Sequence, residues 1–157
     1  MSIDRNFRSV IEACSQERAN SSGTWITPEM LEAYNRLHNL GYAHSVEVWQ
    51  GNDLVGGLYG VALGRVFFGE SMFSRETNGS KMALLHLARF LVNNDFLLFD
   101  AQVASSHLFT LGATCISRDM FEEVLLQGCN QGTIVQMQSV WQAAEKKLIS
   151  DDGHILD

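Results

Sequence analysis

The sequence predicts an α/β (α+β) domain on a mixed, mostly antiparallel sheet flanked by helices, and three observations carry that expectation. Apolar residues recur at helical spacing over the first forty or so residues, then alternate as strands through 44–74 with turn residues between the runs. A strong helical pattern at 80–94 follows, and it leads into a further apolar run, FLLFDAQV, at 96–103. A helix between two strands is the connection that parallel neighbours require, so this last strand should join the meander by a crossover.

Each element has its own warrant. Phe7, Val10, Ile11 and Cys14 stand at i, i+3, i+4 and i+7, one apolar stripe on a first helix. The segment ANSSGTWIT (19–27) reads as a loop that turns abruptly hydrophobic. Thr27, Pro28 and Glu29 then offer a hydroxyl cap, a proline at the first position and an acid in the first turn. Met30, Leu31, Tyr34, Leu37 and His38 continue this second helix, and Gly41 is placed to end it. Strands are expected at 44–50, 54–63 and 65–74, turning at Gly51-Asn52-Asp53 and at Gly64. Gly56, Gly57 and Gly60 are costly inside a strand and point to a bulge or to a ligand lying against the backbone. Leu84, Leu85, His86, Leu87, Phe90 and Leu91 give helix 80–94 its apolar side. After strand 96–103 come a short helical piece at 105–112, a strand at 113–117, and a helix at 118–127 capped by Ser117. One more helix is expected at about 140–148, in a divergent tail (129–157) packed on a domain formed by residues 1–128. No glycine-rich loop joins a first strand to a helix, which excludes a doubly wound nucleotide fold.

Composition narrows the function classes. The chain has 157 residues, long enough to close a core, and its 46% hydrophobic and 18% charged residues are those of a globular protein. Eleven Lys and Arg face eighteen acids, a net charge of −7, and the basic residues are thinly spread. Wrapping a nucleic-acid duplex needs a concentrated basic surface, so any nucleic-acid contact should be local, at one end of a molecule. No run reaches the roughly 18 apolar residues of a membrane span, and MSIDRNFRSV lacks the plan of a secretory leader. Cys14, Cys115 and Cys129 are odd in number and far apart, the usage of a reducing compartment, with no zinc spacing. The cytoplasm is the expected location.

Three polar residues stand where apolar ones are expected. Alternation places Asp100 and Gln102 on one face of strand 96–103, and Glu70 with Phe68 and Met72 on one face of strand 65–74. If the two strands are neighbours, Glu70, Asp100 and Gln102 line one polar cavity. The plainer alternatives are an edge-exposed Glu70 or its ion pair with Arg65 or Arg75, a structural ion pair at Asp100, and backbone bonding by Gln102. His38, His44 and His86 read as structural or surface residues, and His107 as a helix cap or a core hydrogen-bonding residue. Trp25 fits a hydrophobic staple or lid as well as a base-stacking platform, and Tyr34 is either core or a ligand-facing hydroxyl. Ser80 and Lys81 open helix 80–94, where a helix amino end can hold phosphate or simply be capped.

Taken together, GTWITPEMLEAYNRLHNLGYAHSVEVW, LVGGLYGVALGRVFFGESMFSRETNGSK, FDAQVASSHLFTLGA and ISRDMF resemble the leucyl/phenylalanyl-tRNA–protein transferase family, over about residues 7–121. The resemblance implies a GNAT-like acyltransferase fold that uses aminoacyl-tRNA in place of acyl-CoA. It implies Asp100 and Gln102 as the catalytic pair and Glu70 toward the acceptor amine. Trp25, Tyr34, Ser80 and Lys81 would then hold the 3′ end of the tRNA, and Leu58, Met72, Leu84 and Leu87 would form an apolar aminoacyl pocket. It calls for no cofactor and no metal. Ala101, Ser105, Ser106 and Thr110 depart from the family's usual residues, and a short form without the family's front domain is expected. That leaves the acceptor open: a small molecule, a peptide or a protein amino terminus. A homodimer is one way to cover the face so exposed. An N-acyltransferase with another activated donor, and a non-catalytic module needing a separate front-domain protein, remain as alternatives.

Overall fold

A computed structural model describes residues 1–16, 25–129 and 139; the helix expected at 140–148 and most of loop 19–27 lie outside the described residues. The described elements run β1 (Ser2–Ile3), α1 (Phe7–Ser15), α2 (Pro28–Asn39), β2 (Ala43–Gln50), β3 (Asp53–Leu63), β4 (Val66–Ser74), α3 (Gly79–Asn93), β5 (Leu98–Asp100), α4 (Ser106–Thr110) and α5 (Arg118–Cys129). The five strands form one sheet in chain order, β1 to β5. Every pair is antiparallel except β4–β5, which is parallel and is joined through α3. This is the mixed, mostly antiparallel sheet flanked by helices that the sequence predicts.

The two faces are covered by different helices. On one, Phe7, Val10, Ile11 and Cys14 of α1 close with Ile26, Tyr59 and Phe73, and with Leu31, Tyr34 and Leu37 of α2 packed against them. On the other, Ala83, Leu87, Phe90 and Leu91 of α3 close with Val46, Val48, Leu58 and Phe67. Local chemistry fixes the helix ends. The Thr27 hydroxyl accepts from the Met30 amide at 3.3 Å, and the neighbouring Ile26 and Leu31 share a cluster as a hydrophobic staple does. At the other end of α2, Gly41 (φ 81°) lets its own amide reach the His38 carbonyl and the Tyr42 amide reach Leu37, both at 2.9 Å. That is the paired Schellman closure.

The strand glycines answer to packing. A Cβ on Gly56 would lie 2.5 Å from the backbone of Gly79, and one on Gly79 would lie 2.8 Å from the Val55 carbonyl. The first turn of α3 therefore sits directly on β3, and the pair of glycines sets its height. Gly56→Ala should destabilise the fold by roughly 1–3 kcal/mol, the usual range for overpacking, because both opposing atoms are backbone. Urea unfolding measures it, and an unchanged midpoint would show that α3 can ride higher on the sheet.

Four expectations need correction. Strand 96–103 shrinks to Leu98–Asp100, because the chain turns sharply after Asp100. No strand forms at 113–117, which runs as irregular chain into α5. Strand β1 was not foreseen; its two residues pair with Val46 and Glu47 of β2. Finally, Glu70 does not share a face with Met72. The β3–β4 register slips between Tyr59 and Gly60, so that Tyr59 opposes Ser71 and Gly60 opposes Gly69, leaving Glu70 as the extra residue of a bulge. Met72 packs on the α3 side, and Glu70 turns toward α2.

Candidate functional site

Register brings the polar residues together. Phe67 opposes Phe99 and Phe68 opposes Asp100 in the parallel β4–β5 pair. The rings of Phe67 and Phe99 meet edge-on at 5.6 Å on the α3 side. Alternation therefore directs Phe68 and Asp100 to the opposite face, the face on which Glu70 lies two residues further along β4. Pairing then stops. Beyond Phe68, β4 continues through its bulge while β5 ends, and the sheet opens between them.

Asp100 and Gln102 occupy this opening, and a turn rather than strand alternation holds them there. Asp100 Oδ1 accepts the Gln102 amide at 2.8 Å, an Asx-type closure. Gln102 takes φ 63°, a conformation uncommon for any residue with a Cβ, and its Nε2 donates to the Gly69 carbonyl at 2.7 Å. The carboxamide thus bridges back to β4 beside Glu70. Among the described residues Asp100 has no ion-pair partner, Arg65 donates to the Asp95 carbonyl, and Arg75 donates to the Leu54 carbonyl and lies over Phe73. The ion-pair explanations of Asp100 and Glu70 therefore have no support in the geometry.

Beside the opening is a cleft of about 940 Å³, bounded by Leu84 and Leu85 of α3, Phe99 to Ala104 along the turn, and Phe109, Ile116 and Phe121 beyond it. Its wall is mainly apolar, with Asp100 and Gln102 among its few polar members. Of the four proposed pocket residues, Leu84 lines this cleft, whereas Leu58 and Leu87 are closed in the core at 3% and 0% exposure and Met72 packs against them.

Tyr34 reaches the site from α2. Its phenol is pushed up to about 12, first by burial and then by hydrogen bonding to and charge on Glu70. The raised value means that the folded form keeps the proton longer than the unfolded chain. Stability from this group is complete below about 10 and is lost as the pH rises from there through about 12. Unfolding measured across pH 9–12 should show a decline that Tyr34→Phe reduces; an identical decline in the variant would contradict the assignment.

Ser80 and Lys81 lie elsewhere. Ser74 Oγ accepts the Ser80 amide at 2.7 Å and donates to Ser80 Oγ at 2.9 Å, so the start of α3 is seated at the far end of β4. Six residues of strand, roughly 20 Å at 3.3 Å each, separate it from the position opposite Asp100. Trp25 is exposed, since Ile26 serves as the staple. Sequence reasoning missed Tyr59, a fully buried phenol edge-on to Tyr34 at 5.2 Å. The signal was a large hydroxylated ring among glycines, where a small residue would have fitted the pattern better.

A carboxylate and a carboxamide held at a split between strands, next to an apolar cleft, define an α/β protein equipped to hold a polar group beside an apolar one. The comparisons name the class further. The leucyl/phenylalanyl-tRNA protein transferase family matches residues 1–126, and the chain belongs to that family. Similar proteins called leucyl/phenylalanyl-tRNA–protein transferase occur in Cellvibrio japonicus (55% identical over 131 residues, 83% of this chain and 56% of the relative) and Idiomarina loihiensis (50% over 149 residues, 94% and 61%). Another is found in Azoarcus sp. (58% over 119 residues, 76% and 51%). The chain thus spans between half and three-fifths of the length of these curated relatives. No helix among the described residues is long and apolar enough to cross a membrane.

Proposed function

We propose that this chain transfers an amino acid from the 3′ ester of an aminoacyl-tRNA to an amine, forming an amide. The supporting observation is the Asp100–Gln102 turn, which sets a carboxylate and a carboxamide at the β4–β5 opening beside an apolar cleft. The nitrogen lone pair attacks the ester carbonyl carbon, the C–N bond forms, the C–O bond to the ribose breaks, and the amine proton leaves with the ribose oxygen. An ester is already activated, so most of the work is positioning. Gln102 orients the amine or the carbonyl. Asp100 stabilises the positive charge that develops on the attacking nitrogen, an electrostatic role that needs no proton transfer to the carboxylate. The ribose 2′-hydroxyl can relay the proton.

Glu70 receives the acceptor amine or its basic side chain. Trp25 and Tyr34 approach the terminal nucleotide, and Ser80 and Lys81 take a phosphate further along. Leu84, backed by Leu58, Met72 and Leu87, forms the apolar wall for the aminoacyl side chain. The acceptor is a small molecule, a peptide or a protein amino terminus, the reaction belongs in the cytoplasm, and a homodimer would cover apolar surface.

The test incubates the purified chain with Leu-, Phe- and Ala-charged tRNA carrying labelled amino acid, together with a peptide of basic amino terminus or a cell extract. Label should move into amide-linked product. If no charged tRNA yields product with any acceptor, and deacylation is unchanged, the reading fails and a binding module remains.

A further inference from the structure

Two glycines face each other beside the Asp100–Gln102 turn, and no step above uses them. Gly60 of β3 opposes Gly69 of β4, at the register slip that makes Glu70 the extra residue of its bulge. A Cβ on Gly60 would overlap the Phe68 carbonyl oxygen and would lie 2.5 Å from the Phe67 ring. A Cβ on Gly69 would lie 3.1 Å from Phe99 Cε2 and 3.4 Å from the Asp100 carbonyl oxygen. Phe67 and Phe99 in turn meet edge-on at 5.6 Å. Gly60 thus admits one ring and Gly69 the other, and the bare backbone at both positions lets β3, β4 and β5 close on the aromatic pair.

This seat matters because of what Gly69 holds. Its carbonyl accepts Gln102 Nε2 at 2.7 Å, and among the described residues that is the one hydrogen bond the Gln102 side chain makes. Gln102 is exposed, and a long exposed amide is otherwise free to turn about its side-chain bonds. We propose that Gly60 and Gly69 are positioning residues for the transfer step, acting through Gln102: with no side-chain atoms in the seat, the Gly69 carbonyl stands where it fixes the carboxamide. The inference rests on the reading of Gln102 as a catalytic group. A Cβ at Gly60 fits only if the Phe68–Gly69 backbone lifts away from β3, because one obstructing atom is itself backbone. That backbone carries the acceptor of Gln102, and misplacing a reacting group by about 1 Å costs roughly a hundredfold in rate. A Cβ at Gly69 acts from the other side, pushing Phe99 and the start of the turn away from β4.

The experiment compares wild type, Gly60→Ala, Gly69→Ala and Gly57→Ala as full chains, below the melting range of all four. Gly57 is the control on the same strand: its added Cβ would lie 2.7 Å from the Val46 carbonyl, so it strains β3 against β2 and not against Gly69. Transfer from Phe-charged tRNA to a peptide with an amino-terminal arginine gives kcat and KM. Urea unfolding gives stability, and the side-chain amide resonances of Gln102 report its bond to Gly69. Gly60→Ala should lower kcat about tenfold or more, with KM for the charged tRNA within about twofold. Gly69→Ala should lower kcat by about threefold, less because the edge of a ring can give way. In both, the Gln102 amide signals should move to those of a free carboxamide. Gly57→Ala should unfold at lower urea than wild type, keep kcat within about twofold and leave the Gln102 signals in place.

Wild-type kcat in Gly60→Ala would overturn the proposal and leave the two glycines as packing alone. An equal loss of kcat in Gly57→Ala would overturn it too, since any strain on β3 would then slow transfer. So would a loss of kcat in Gly60→Ala with the Gln102 signals unmoved, because the route through Gln102 would be absent. If Gly60→Ala fails to fold, Gly69→Ala decides the matter, and wild-type kcat or unmoved signals there overturn the proposal. A wild-type chain that makes no amide fails the transfer reading instead. The seat is then judged on the Gln102 signals alone: shifted in Gly60→Ala or Gly69→Ala they support it, and unmoved in both they overturn it.

Discussion

Asp100→Asn should lower the rate of amide formation by about a hundredfold while leaving stability within roughly 0.5 kcal/mol of wild type. The substitution separates two things the carboxylate does. An asparagine oxygen can still accept the Gln102 amide, now at 2.8 Å, so the turn and the left-handed Gln102 persist. What disappears is the negative charge facing the nitrogen as it becomes cationic, and in a partly desolvated cleft that charge carries more weight than it would in water. Asp100→Ala removes the turn as well, and should add about 1 kcal/mol of destabilisation for the lost hydrogen bond. Gln102→Gly gives the complementary result. Glycine takes φ 63° without a Cβ penalty, which offsets the roughly 1 kcal/mol of the lost Nε2 bond to Gly69, so stability should stay near wild type while transfer is lost. Single-turnover transfer with labelled aminoacyl-tRNA, run beside urea unfolding, measures all three. An Asp100→Asn chain with more than half the wild-type rate would remove electrostatic stabilisation from the mechanism.

These variants also show how far the sequence could be read. The caps and stops were legible because each depends on local chemistry, as at Thr27-Pro28-Glu29 and Gly41. The crossover through α3 was legible from the change of period. The pairing of Asp100 with Gln102 was expected as well, though for a reason the structure replaces. Strict alternation would have put both on one strand face, whereas β5 ends at Asp100 and a side-chain-to-backbone bond brings Gln102 round. Glu70 shows the same limit in another form. One extra residue in β4 moves it from the Met72 face to the Tyr34 face, and a bulge depends on the partner strand, which no single stretch reveals. The leucines assigned to a pocket carry no mark that separates a cleft wall from a sealed core, and Leu84 and Leu87 divide accordingly.

The largest effect on stability should come from Glu47, a carboxylate that sequence reading passed over. It stands in HSVEVWQ as one acid in a strand with six consecutive buried residues, and its side chain is 0% exposed. A buried carboxylate needs donors, and Glu47 has three: Ser45 Oγ at 2.6 Å, Ser2 Oγ at 2.6 Å and the Asn6 amide at 3.2 Å. Ser2 in turn accepts from Trp49 Nε1 at 2.8 Å, so its hydroxyl hydrogen is already directed to Glu47. An acceptor-only group suits this site, and a glutamine does not. Turned one way, the amide nitrogen faces the Asn6 N–H; turned the other, it faces Ser2, whose hydroxyl hydrogen then loses its acceptor, and either arrangement should cost roughly 1–3 kcal/mol. Glu47→Ala leaves all the donors without an acceptor and opens a cavity, and should cost about 3–4 kcal/mol. For a chain of this length that lowers the melting temperature by roughly 10 °C. The network also ties β1 to the sheet, beside its two paired residues, the Asp4 amide bond to the Ser45 carbonyl, and the Asp4 carboxylate that accepts the Ser45 amide and pairs with His44. Hydrogen exchange at Asp4 and Asn6 should therefore accelerate in Glu47→Gln before global unfolding does. If Glu47→Ala melts with wild type and those amides stay protected, the carboxylate is incidental to the strand it occupies. The expected order, alanine below glutamine below wild type, follows from counting donors around a single buried acceptor.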